Sequence, residues 1–554
     1  MTSEADLDKS VSAASPTTGY WPRGVIFIAF ALLLILSFTH NVNWDEFYFL
    51  SHVHSYLDGR LDRPMQTFFV HAFGWLDHVP GTEIHQIFAA RLVMVALLAG
   101  TALCIHRIAT LLSDTRSADI AVVLFLCSGF VLPHGASFRA DPIAASLLMG
   151  ALALMMTSRM QVWQIGLVAL LSALALLVTI KSALYLPVLL AAMIWRASQR
   201  EMVLRCLAAG LLALVLAGLL YLWHQAGLEV APERAVTNDA REAFSRTLLS
   251  AGLFPRRNDI ALWVLLSIPA ILLAVQGLRA APSRRLRIVL VLFAAPLIAV
   301  VVYRNAFPYF FPFAIPPLMI AAAIGVRSLA GQPMVKRLVA LALILGVVQA
   351  ALTLREGNAV QRATIAEVHR LFKTPVPYID QHSMIASFPQ VGFFMSTWGL
   401  ERYRDAGQPV FKAAIAQAQP PLLIANKWQL AQALSGEASS TRPAVLLPED
   451  QVALQETYVH YSGAIWLAGR NFTAGETPLS FELPINGNYR IVADGNVTID
   501  GRSFVPGDVV ALGSAPHQLT ALPGSEIKLI WDTGVTPLDD ALPNVELYAV
   551  FWHL

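Results

Sequence analysis

Charged side chains are scarce in this sequence, and that scarcity limits the class of protein. Asp, Glu, Lys and Arg make up 14% of the 554 residues, against roughly 25% in ordinary soluble proteins. Apolar residues make up 56%, and the mean hydropathy is +0.57. The composition therefore indicates a polytopic membrane protein with a soluble part attached, and it does not suggest nucleic-acid binding.

Cysteine is nearly absent. The three cysteines, Cys104, Cys127 and Cys206, lie in hydrophobic runs, so neither a disulfide framework nor a cysteine zinc site is expected. Five histidines crowd one segment without an HExxH motif or another tight ligand spacing, so no resident metal site is predicted. They are His52, His54, His71, His78 and His85. A divalent cation stays open as a cofactor, because carboxylates can bind one.

Long apolar runs are abundant, and eleven have about the length that a bilayer crossing needs. They lie at about residues 23–40, 87–106, 118–134, 141–158, 162–180, 182–196, 204–223, 259–278, 287–304, 307–326 and 335–353. Arginines concentrate in alternate loops, which predicts a cytoplasmic N-terminus, with residues 1–22 as a disordered cytoplasmic tail. The first run reads as an anchor rather than a signal peptide.

The C-terminal part differs from the membrane part in charge and texture. From Arg355 it holds 13 Lys or Arg and 19 Asp or Glu, and the eleven-span prediction places it outside the cytoplasm. Residues 355–474 alternate apolar runs with helical stretches, which predicts an α/β region. From residue 475, Asp-Gly, Asn-Gly and Pro-Gly pairs separate short apolar runs, which predicts a β-sandwich-like domain at 475–554 without a catalytic signature.

Ionisable residues interrupt the apolar pattern at one side of the membrane only. They lie at the predicted outer ends of four segments: Asp45 and Glu46, Arg139 and Asp141, Lys181, and Arg304. Such residues are candidates for a functional site by default. Carboxylates can deprotonate an acceptor hydroxyl, and cations can neutralise a phosphate leaving group. The set predicts a site for a lipid-phosphate-linked substrate in the outer leaflet.

Four stretches in this order resemble the GT-C glycosyltransferases, over roughly residues 23–353. "NWDEFYFLSHVHSYLDG" resembles the acidic first outer loop of that family, and "ASFRADPIAASLLMGALAL" its Arg-x-Asp segment. "TIKSALYLPVLLAAMIW" is similar to its Lys and Pro segment, and "YRNAFPYFFPFAIPPLMIAAA" to its late Tyr and Pro span. Within GT-C, the four stretches most resemble those of the protein O-mannosyltransferases and of the aminoarabinose transferases of lipid A.

The resemblance implies a fold, a reaction and site residues. Residues 23–354 would form the catalytic membrane domain, and the reaction would be an inverting single displacement from a polyprenyl-phosphate-sugar donor such as an undecaprenyl one. The implied catalytic residues are Asp45, Glu46 and Asp141, and the implied substrate-binding residues are Arg139, Lys181, Arg304 and Tyr303. Where relatives carry His-Pro-Pro or Lys-Pro-Pro, this chain has "RPMQTFFVHAFGWL", in which Arg63 and His71 are candidate substitutes.

Plainer explanations exist for each residue. Acidic residues favour the first turn of a helix, Arg139 and Asp141 could form a local ion pair, and Lys181 and Arg304 could extend to the interface from helix ends. Tyr303, with Trp21, Tyr309 and Phe310, fits an interfacial aromatic belt. A transporter or flippase of a lipid-linked glycan is the alternative function, although such proteins place their sites near the midplane and contain internal repeats. A membrane-anchored scaffold is a third.

The setting that composition favours is the inner membrane of a bacterium with a GC-rich genome, because arginine far outnumbers lysine and Ala and Leu are abundant. The partners would then be the lipid-linked donor, membrane lipid and a periplasmic envelope acceptor. That acceptor could be lipid A or lipopolysaccharide, another glycan, or a protein.

Overall fold

The computed structural model describes residues 20–229, 252–436, 445–536, 538 and 540–549. The predicted disordered tail lies outside the described residues except for its last three, and residues 230–251, between the predicted spans 204–223 and 259–278, also lie outside them. Residues 20–354 are called the membrane half below, and residues 355–549 the tail.

Helices make up the membrane half. They are α1 (Trp21–Thr39), α2 (Trp44–Leu57), α3 (Val70–Phe73), α4 (Glu83–Leu112), α5 (Thr115–Cys127), α6 (Val131–His134), α7 (Ala140–Thr157), α8 (Val162–Val178), α9 (Leu186–Trp195), α10 (Arg200–Ala226), α11 (Arg257–Ala280), α12 (Arg284–Phe293), α13 (Ala295–Ile298), α14 (Phe311–Ala314), α15 (Pro316–Ser328) and α16 (Pro333–Thr353). Four short 3-10 helices join them, at Gly74–His78, Ile180–Tyr185, Ala299–Val301 and Pro308–Phe310.

Six of these helices are long and apolar enough to cross a bilayer: α1, α4, α7, α10, α11 and α16. The segment from Pro308 to Ser328 would add a seventh if its two parts, which meet at 61°, form one span, and α8 and the stretch Ile180–Trp195 are shorter apolar helices. The chain is therefore a polytopic membrane protein. The count of eleven spans stays a prediction, and so does the side on which the tail lies.

Several runs predicted as single spans are broken in the structure. The run 287–304 is divided among α12, α13 and the turn Ala299–Val301, and the run 307–326 bends between α14 and α15. Prolines explain the breaks, since a prolyl residue lacks an amide hydrogen and crowds the preceding turn. Pro296, Pro308, Pro312 and Pro316 all stand in the first turn of a new segment. These breaks produce the irregular backbone that carries Tyr303, Arg304 and Tyr309.

Helices α11 and α15 cross at unusually short distance, and glycines make that approach feasible. A Cβ atom added to Gly277 would lie 1.9 Å from the Ala321 carbonyl oxygen, and one added to Gly325 would lie 1.9 Å from that of Leu273. Small residues at helix crossings let backbones pack closely in membrane proteins. This pair of glycines therefore fixes α11 against the broken span that carries part of the site.

The tail is a mixed α/β structure. Its helices are α17 (Ala359–Leu371), α18 (Thr397–Ala406), α19 (Val410–Ala418), α20 (Trp428–Ser435) and α21 (Pro448–Thr457). Its strands are β1 (Tyr378–Asp380), β2 (Leu422–Ile424), β3 (Tyr458–Ser462), β4 (Ile465–Thr473), β5 (Leu479–Phe481), β6 (Gly487–Ala493), β7 (Val497–Ile499), β8 (Arg502–Phe504), β9 (Val509–Leu512), β10 (His517–Thr520) and β11 (Glu526–Trp531).

Two sheets organise these strands. One has seven strands in the order β1-β2-β4-β11-β6-β9, with β3 also paired to β4, and the other has four in the order β5-β10-β7-β8. Strands β1 and β2 are parallel, as in an α/β unit, whereas β4 pairs antiparallel with β11. The larger sheet thus runs across residue 475, where the sequence changes texture. A division of the tail into two domains at that point stays a prediction.

The tail packs on the end of the membrane half at which α2 begins. Tyr548 has ring contacts with Trp44 and Phe47, at centroid distances of 6.0 and 6.1 Å. The Asn41 side chain donates to the carbonyl of Leu547 and accepts from the amide of Ala549. Apolar residues from both halves form one buried cluster. The tail is therefore a fixed part of the surroundings of α2.

Candidate active site

The start of α2 places two adjacent carboxylates in different environments. Asn43 caps the helix, its side-chain oxygen accepting a hydrogen bond from the Asp45 amide at 3.0 Å. The Glu46 carboxylate accepts from the Asn43 amide at 3.1 Å, which completes a capping box. Successive helix positions point about 100° apart. Glu46 therefore faces the interior, whereas the Asp45 side chain stays 18% exposed.

Glu46 is fully buried, and its hydrogen bonds connect separate parts of the fold. Its carboxylate receives two hydrogen bonds from Arg91, from Nε at 2.8 Å and from Nη2 at 2.6 Å, and a third from the Phe138 amide at 2.9 Å. Burial opposes ionisation of Glu46, but Arg91 and these donors prevail, so its pKa lies below the usual value. Glu46 thus ties α2 to α4 and to the segment before Arg139.

Asp45, Arg139, Asp141 and Lys181 form one chain of alternating charges, called the charge chain below. Arg139 Nη1 pairs with Asp45, and Lys181 Nζ pairs with Asp141. The Arg139 Nε atom lies 3.8 Å from Asp141 Oδ2. Three separated parts of the chain thus converge: the start of α2, the start of α7, and the turn between α8 and α9. The structure brings together four of the predicted site residues, and the side of the membrane on which they lie stays a prediction.

One donor in the charge chain, Arg139 Nε, faces the Asp141 carboxylate at 3.8 Å, which is too far for a hydrogen bond. Arg139 is 5% exposed, and its Nε atom makes no hydrogen bond within the part of the chain that the structure describes. Leaving a buried donor unpaired costs roughly 1–3 kcal/mol, and more for a charged group. Orphaned polar atoms of this kind are rare and call for a reason. A bound oxyanion would satisfy the atom.

Two tyrosines cover the charge chain. The Arg139 guanidinium carbon lies 3.4 Å from the Tyr309 ring centroid, and Lys181 Nζ lies 5.5 Å from it. Tyr303 is buried, contacts Phe310 at a centroid distance of 5.3 Å, and lies close enough for the charges of Asp141 and Arg139 to act on its hydroxyl. Sequence reasoning missed Tyr309, because an aromatic residue near a span end fits an interfacial belt.

Arg304 is directed toward the tail rather than into the charge chain. Its guanidinium forms a two-pronged ion pair with Glu401 of α18, in which Nη1 donates to Oε2 at 3.0 Å. Its carbonyl oxygen accepts from Arg256 Nε at 3.3 Å. The structure therefore gives Arg304 a carboxylate partner that the sequence did not indicate, and it leaves the predicted phosphate contact untested.

The two predicted substitutes, Arg63 and His71, lie apart from the charge chain. Arg63 Nη1 donates to the Tyr48 hydroxyl at 2.8 Å, and the His71 Nε2 atom lies 2.9 Å from His224 Nδ1 at the end of α10. Burial lowers the pKa of His71. Gln66, from the same part of the sequence, contacts the turn that carries Lys181, because its Oε1 accepts from the Thr179 hydroxyl at 3.2 Å. No pattern in the sequence marked Gln66.

The tail contributes two further residues beside Asp45. The Lys427 ammonium lies 4.0 Å from the Trp44 ring centroid, and the His382 ring stacks on Trp44 with centroids 5.4 Å apart. The charge of Asp45 acts on Lys427, and that of Lys427 acts on His382. Sequence reasoning missed both residues, because only the folded sheet brings the tail to α2.

No metal site is evident in the described residues. No three His, Cys, Asp or Glu side chains there come together in a way that could hold an ion. Both carboxylates of the charge chain are instead paired with a cation of the protein. Whether a divalent cation takes part stays open.

Comparisons with known proteins show the fold. No protein-family model and no curated protein matches the sequence. ArnT from Cupriavidus metallidurans, in a crystal structure bound to undecaprenyl phosphate, aligns with a TM-score of 0.55 and 14% identity over 76% of this chain and 96% of that one. The archaeal oligosaccharyltransferase AglB from Archaeoglobus fulgidus, in complex with an inhibitory peptide and a dolichol-phosphate, aligns with a TM-score of 0.54 and 11% identity, over 93% of this chain and 96% of that one.

These two proteins are GT-C glycosyltransferases, and they are the type that the four sequence motifs resemble. Identities this low show the fold alone. The matches extend over nearly the whole of both proteins, tail regions included for AglB. The chain therefore has the fold of these two GT-C proteins.

Proposed function

We propose that the chain is an integral-membrane glycosyltransferase that moves a sugar from a polyprenyl-phosphate donor to an envelope acceptor. The observation that carries the proposal is the charge chain, with its buried Arg139, whose Nε atom makes no hydrogen bond to any described residue. A guanidinium and an ammonium side by side suit a phosphate, because their donors bind oxygens while their charges neutralise the leaving group.

The proposed reaction is a single displacement with inversion. The acceptor oxygen attacks the anomeric carbon, a new carbon–oxygen bond forms, and the bond from that carbon to the donor phosphate oxygen breaks. The polyprenyl phosphate leaves with the electron pair, and Arg139 and Lys181 stabilise its added charge. If the acceptor is a hydroxyl, its proton passes to the Asp45 carboxylate; if it is an ionised phosphate, Asp45 only orients it.

Each remaining candidate has a proposed role that its contacts support. Asp141 holds Lys181 and approaches Arg139, so it orients both cations. Glu46 is a positioning residue, because its hydrogen bonds are spent on Arg91 and the backbone. Tyr303 would line the donor side near Asp141. Arg304 would reach the donor phosphate only by breaking its ion pair with Glu401. Arg63, between α2 and α3, and His71, in α3, would contact the substrate farther from the charge chain.

The proposed donor carrier is undecaprenyl phosphate, the lipid named for the similar ArnT structure. The proposed setting is a bacterial inner membrane with the tail in the periplasm. The proposed acceptor is lipid A or lipopolysaccharide, another glycan, or a protein. Support for the sidedness comes from the arginine-rich loops together with the contact between the tail and the charge-chain end of the helices.

Mass spectrometry of envelope lipids and glycans tests this function. Strains that lack the protein, overproduce it, or carry Asp45→Asn would be compared, with Asp58→Asn as the control because Asp58 pairs with the exposed Arg60 at the other end of α2. We expect a sugar mass increment that depends on the protein, is lowered roughly 100-fold or more in Asp45→Asn, and is unchanged in Asp58→Asn.

Two results would contradict the proposal. Full transfer by Asp45→Asn would remove Asp45 from the chemistry, in particular from the role of a base. A polyprenyl-linked glycan that accumulates on the cytoplasmic side of the deletion strain, with no sugar increment in any strain, would instead indicate a flippase.

A further inference from the structure

Lys427 is a cation that forms no ion pair with any residue that the structure describes. It follows β2 and precedes α20, and among the described residues its ammonium forms neither a hydrogen bond nor an ion pair, only the contact with the Trp44 ring at 4.0 Å. Burial lowers the pKa of Lys427, while the charges of Glu546 and Asp45 act in the opposite direction without touching it. An anion at this point would stabilise the ammonium.

The residue before Lys427 holds it in place. Asn426 is fully buried, and its side-chain nitrogen Nδ2 donates to Asp380 at 2.9 Å and to the Tyr548 hydroxyl at 3.2 Å. The Gln381 amide donates to the Asn426 side-chain oxygen at 3.2 Å. The position beside Trp44 is thus built into the tail and is not the random reach of a surface lysine.

A second unsatisfied group lies at the same place. His382 is 2% exposed, it stacks on Trp44, and its Nδ1 atom has no hydrogen-bond partner among the described residues. Burial and the nearby Lys427 charge lower the pKa of His382, while an interaction with the Met395 backbone acts in the opposite direction. The Lys427 ammonium and the unsatisfied His382 ring thus share one indole ring, where a bound anionic group would meet both.

The charge balance around Asp45 points the same way. The charge chain holds two carboxylates and two cations, so it has no surplus positive charge. Arg304 is already paired with Glu401. Lys427 therefore adds a cation from the tail on the Asp45 side, with no ion pair of its own among the described residues, whereas Arg139 and Lys181 belong to the membrane half.

We propose that Lys427 and His382 bind an anionic group of the acceptor, a phosphate or a carboxylate, beside Asp45. The tail then selects acidic acceptors, and Lys427 is a specificity-determining residue. This assignment to the acceptor rests on the proposed glycosyltransferase function, whereas the anion site itself does not.

Binding is tested first, without transfer. Thermal unfolding of the purified full chain is measured with glucosamine 1-phosphate as the probe and glucosamine as its neutral counterpart. Lys427→Met keeps the stem and loses the charge, Lys427→Arg keeps the charge, and Lys412→Met is the matched control on the exposed side of α19. We expect the sugar phosphate to stabilise the wild type, Lys427→Arg and Lys412→Met, but not Lys427→Met. Equal stabilisation of Lys427→Met, or none of the wild type, overturns the proposal.

Transfer kinetics then assign the anion to the acceptor. With envelope acceptors separated by anion exchange into acidic and neutral pools, Lys427→Met should raise KM for the acidic pool about tenfold or more. The kcat and the KM for the donor should stay unchanged. A rise in donor KM alone overturns the assignment to the acceptor. Lys427-dependent binding in a protein that transfers no sugar would refute the proposed function and leave the anion site standing.

Discussion

At the scale of single residues, the first turn of α2 holds two neighbouring carboxylates with different surroundings. Glu46 makes structural hydrogen bonds in the interior, whereas Asp45 belongs to the charge chain. Glu46 has no solvent access and makes hydrogen bonds with Arg91, Asn43 and Phe138. Asp45 reaches solvent and forms an ion pair with Arg139. The sequence shows two neighbouring acids and cannot separate them, because the separation depends on which side of α2 faces the bundle.

Replacement of Glu46 by Gln tests this difference. The change leaves the buried Arg91 guanidinium without a counter-charge, and breaking a buried pair costs roughly 3–5 kcal/mol. We expect Glu46→Gln to unfold at markedly lower temperature and to yield less folded protein. The double change Glu46→Met with Arg91→Met, which removes both charges, should recover part of the stability.

The outcome that contradicts the positioning role is a Glu46→Gln protein with the stability of the wild type and no transfer activity. Glu46 would then act on the reaction directly. Thermal unfolding and transfer must therefore be measured on the same preparation.

At this scale, the site residues that could be predicted from the sequence are those whose charge is costly to bury in an apolar run. Asp45, Arg139, Asp141 and Lys181 could be found because ionisable residues are conspicuous in apolar runs, and the structure brings all four together. Tyr309 could not be separated from other aromatic residues near span ends. Arg304 was equally conspicuous, but its partner Glu401 lies 97 positions away and only tertiary packing joins them.

At the scale of elements, hydropathy located the helices, and prolines determined where they break. The runs at 287–304 and 307–326 have the composition of single spans, yet each is divided in the structure. The prolines were visible in the sequence, but their effect depends on whether neighbouring helices satisfy the freed backbone groups. The strands after residue 475 were indicated by their turn pairs. Their pairing with β4 was not, because sheet order is a long-range property.

The crossing of α11 and α15 gives a prediction for elements. Gly277→Ala would place a methyl group 1.9 Å from the Ala321 carbonyl oxygen, a distance that forces the helices apart. We expect a loss of thermal stability and, because α15 continues the broken span with Tyr309, a loss of transfer activity. Gly210→Ala in α10 is the control, since a Cβ there meets nothing within 4 Å.

Alanine has the higher helix propensity by about 1 kcal/mol. Gly210→Ala should therefore be neutral or slightly stabilising. A Gly277→Ala protein that unfolds at the same temperature as Gly210→Ala would show that the close crossing is unimportant for the fold.

At the scale of the whole molecule, the tail is joined to the membrane half by ion pairs as well as by apolar packing. Arg304 pairs with Glu401, and Glu83 at the start of α4 pairs with His369 of α17 at 2.8 Å. The Glu83 carboxylate also accepts from the Ser387 hydroxyl at 2.5 Å. The basic membrane half and the acidic tail were apparent from the sequence. Which charges meet was not, because the paired positions lie 97 and 286 residues apart and only tertiary packing joins them.

The pair between Glu83 and His369 makes the attachment of the tail depend on pH. Burial disfavours the charged imidazole, but the hydrogen bond and the charge of Glu83 prevail over burial and the repulsion by Lys373, so the pKa of His369 lies above its ordinary value of 6.5. His369 therefore binds its proton more tightly in the folded protein than in the unfolded chain. The stability that this adds is complete below pH 6.5 and is lost as the pH rises through the raised pKa.

We therefore expect the unfolding temperature of the wild type to fall, relative to that of His369→Gln, as the pH is raised from about 6 to 9. The difference should be small, roughly 2 °C, because His369 is partly exposed and the neutral imidazole can still donate to Glu83. His460→Gln is the matched control, since His460 bonds the Gly463 carbonyl rather than a carboxylate. Parallel curves for the wild type and His369→Gln would mean that the charge of His369 does not hold the tail in place.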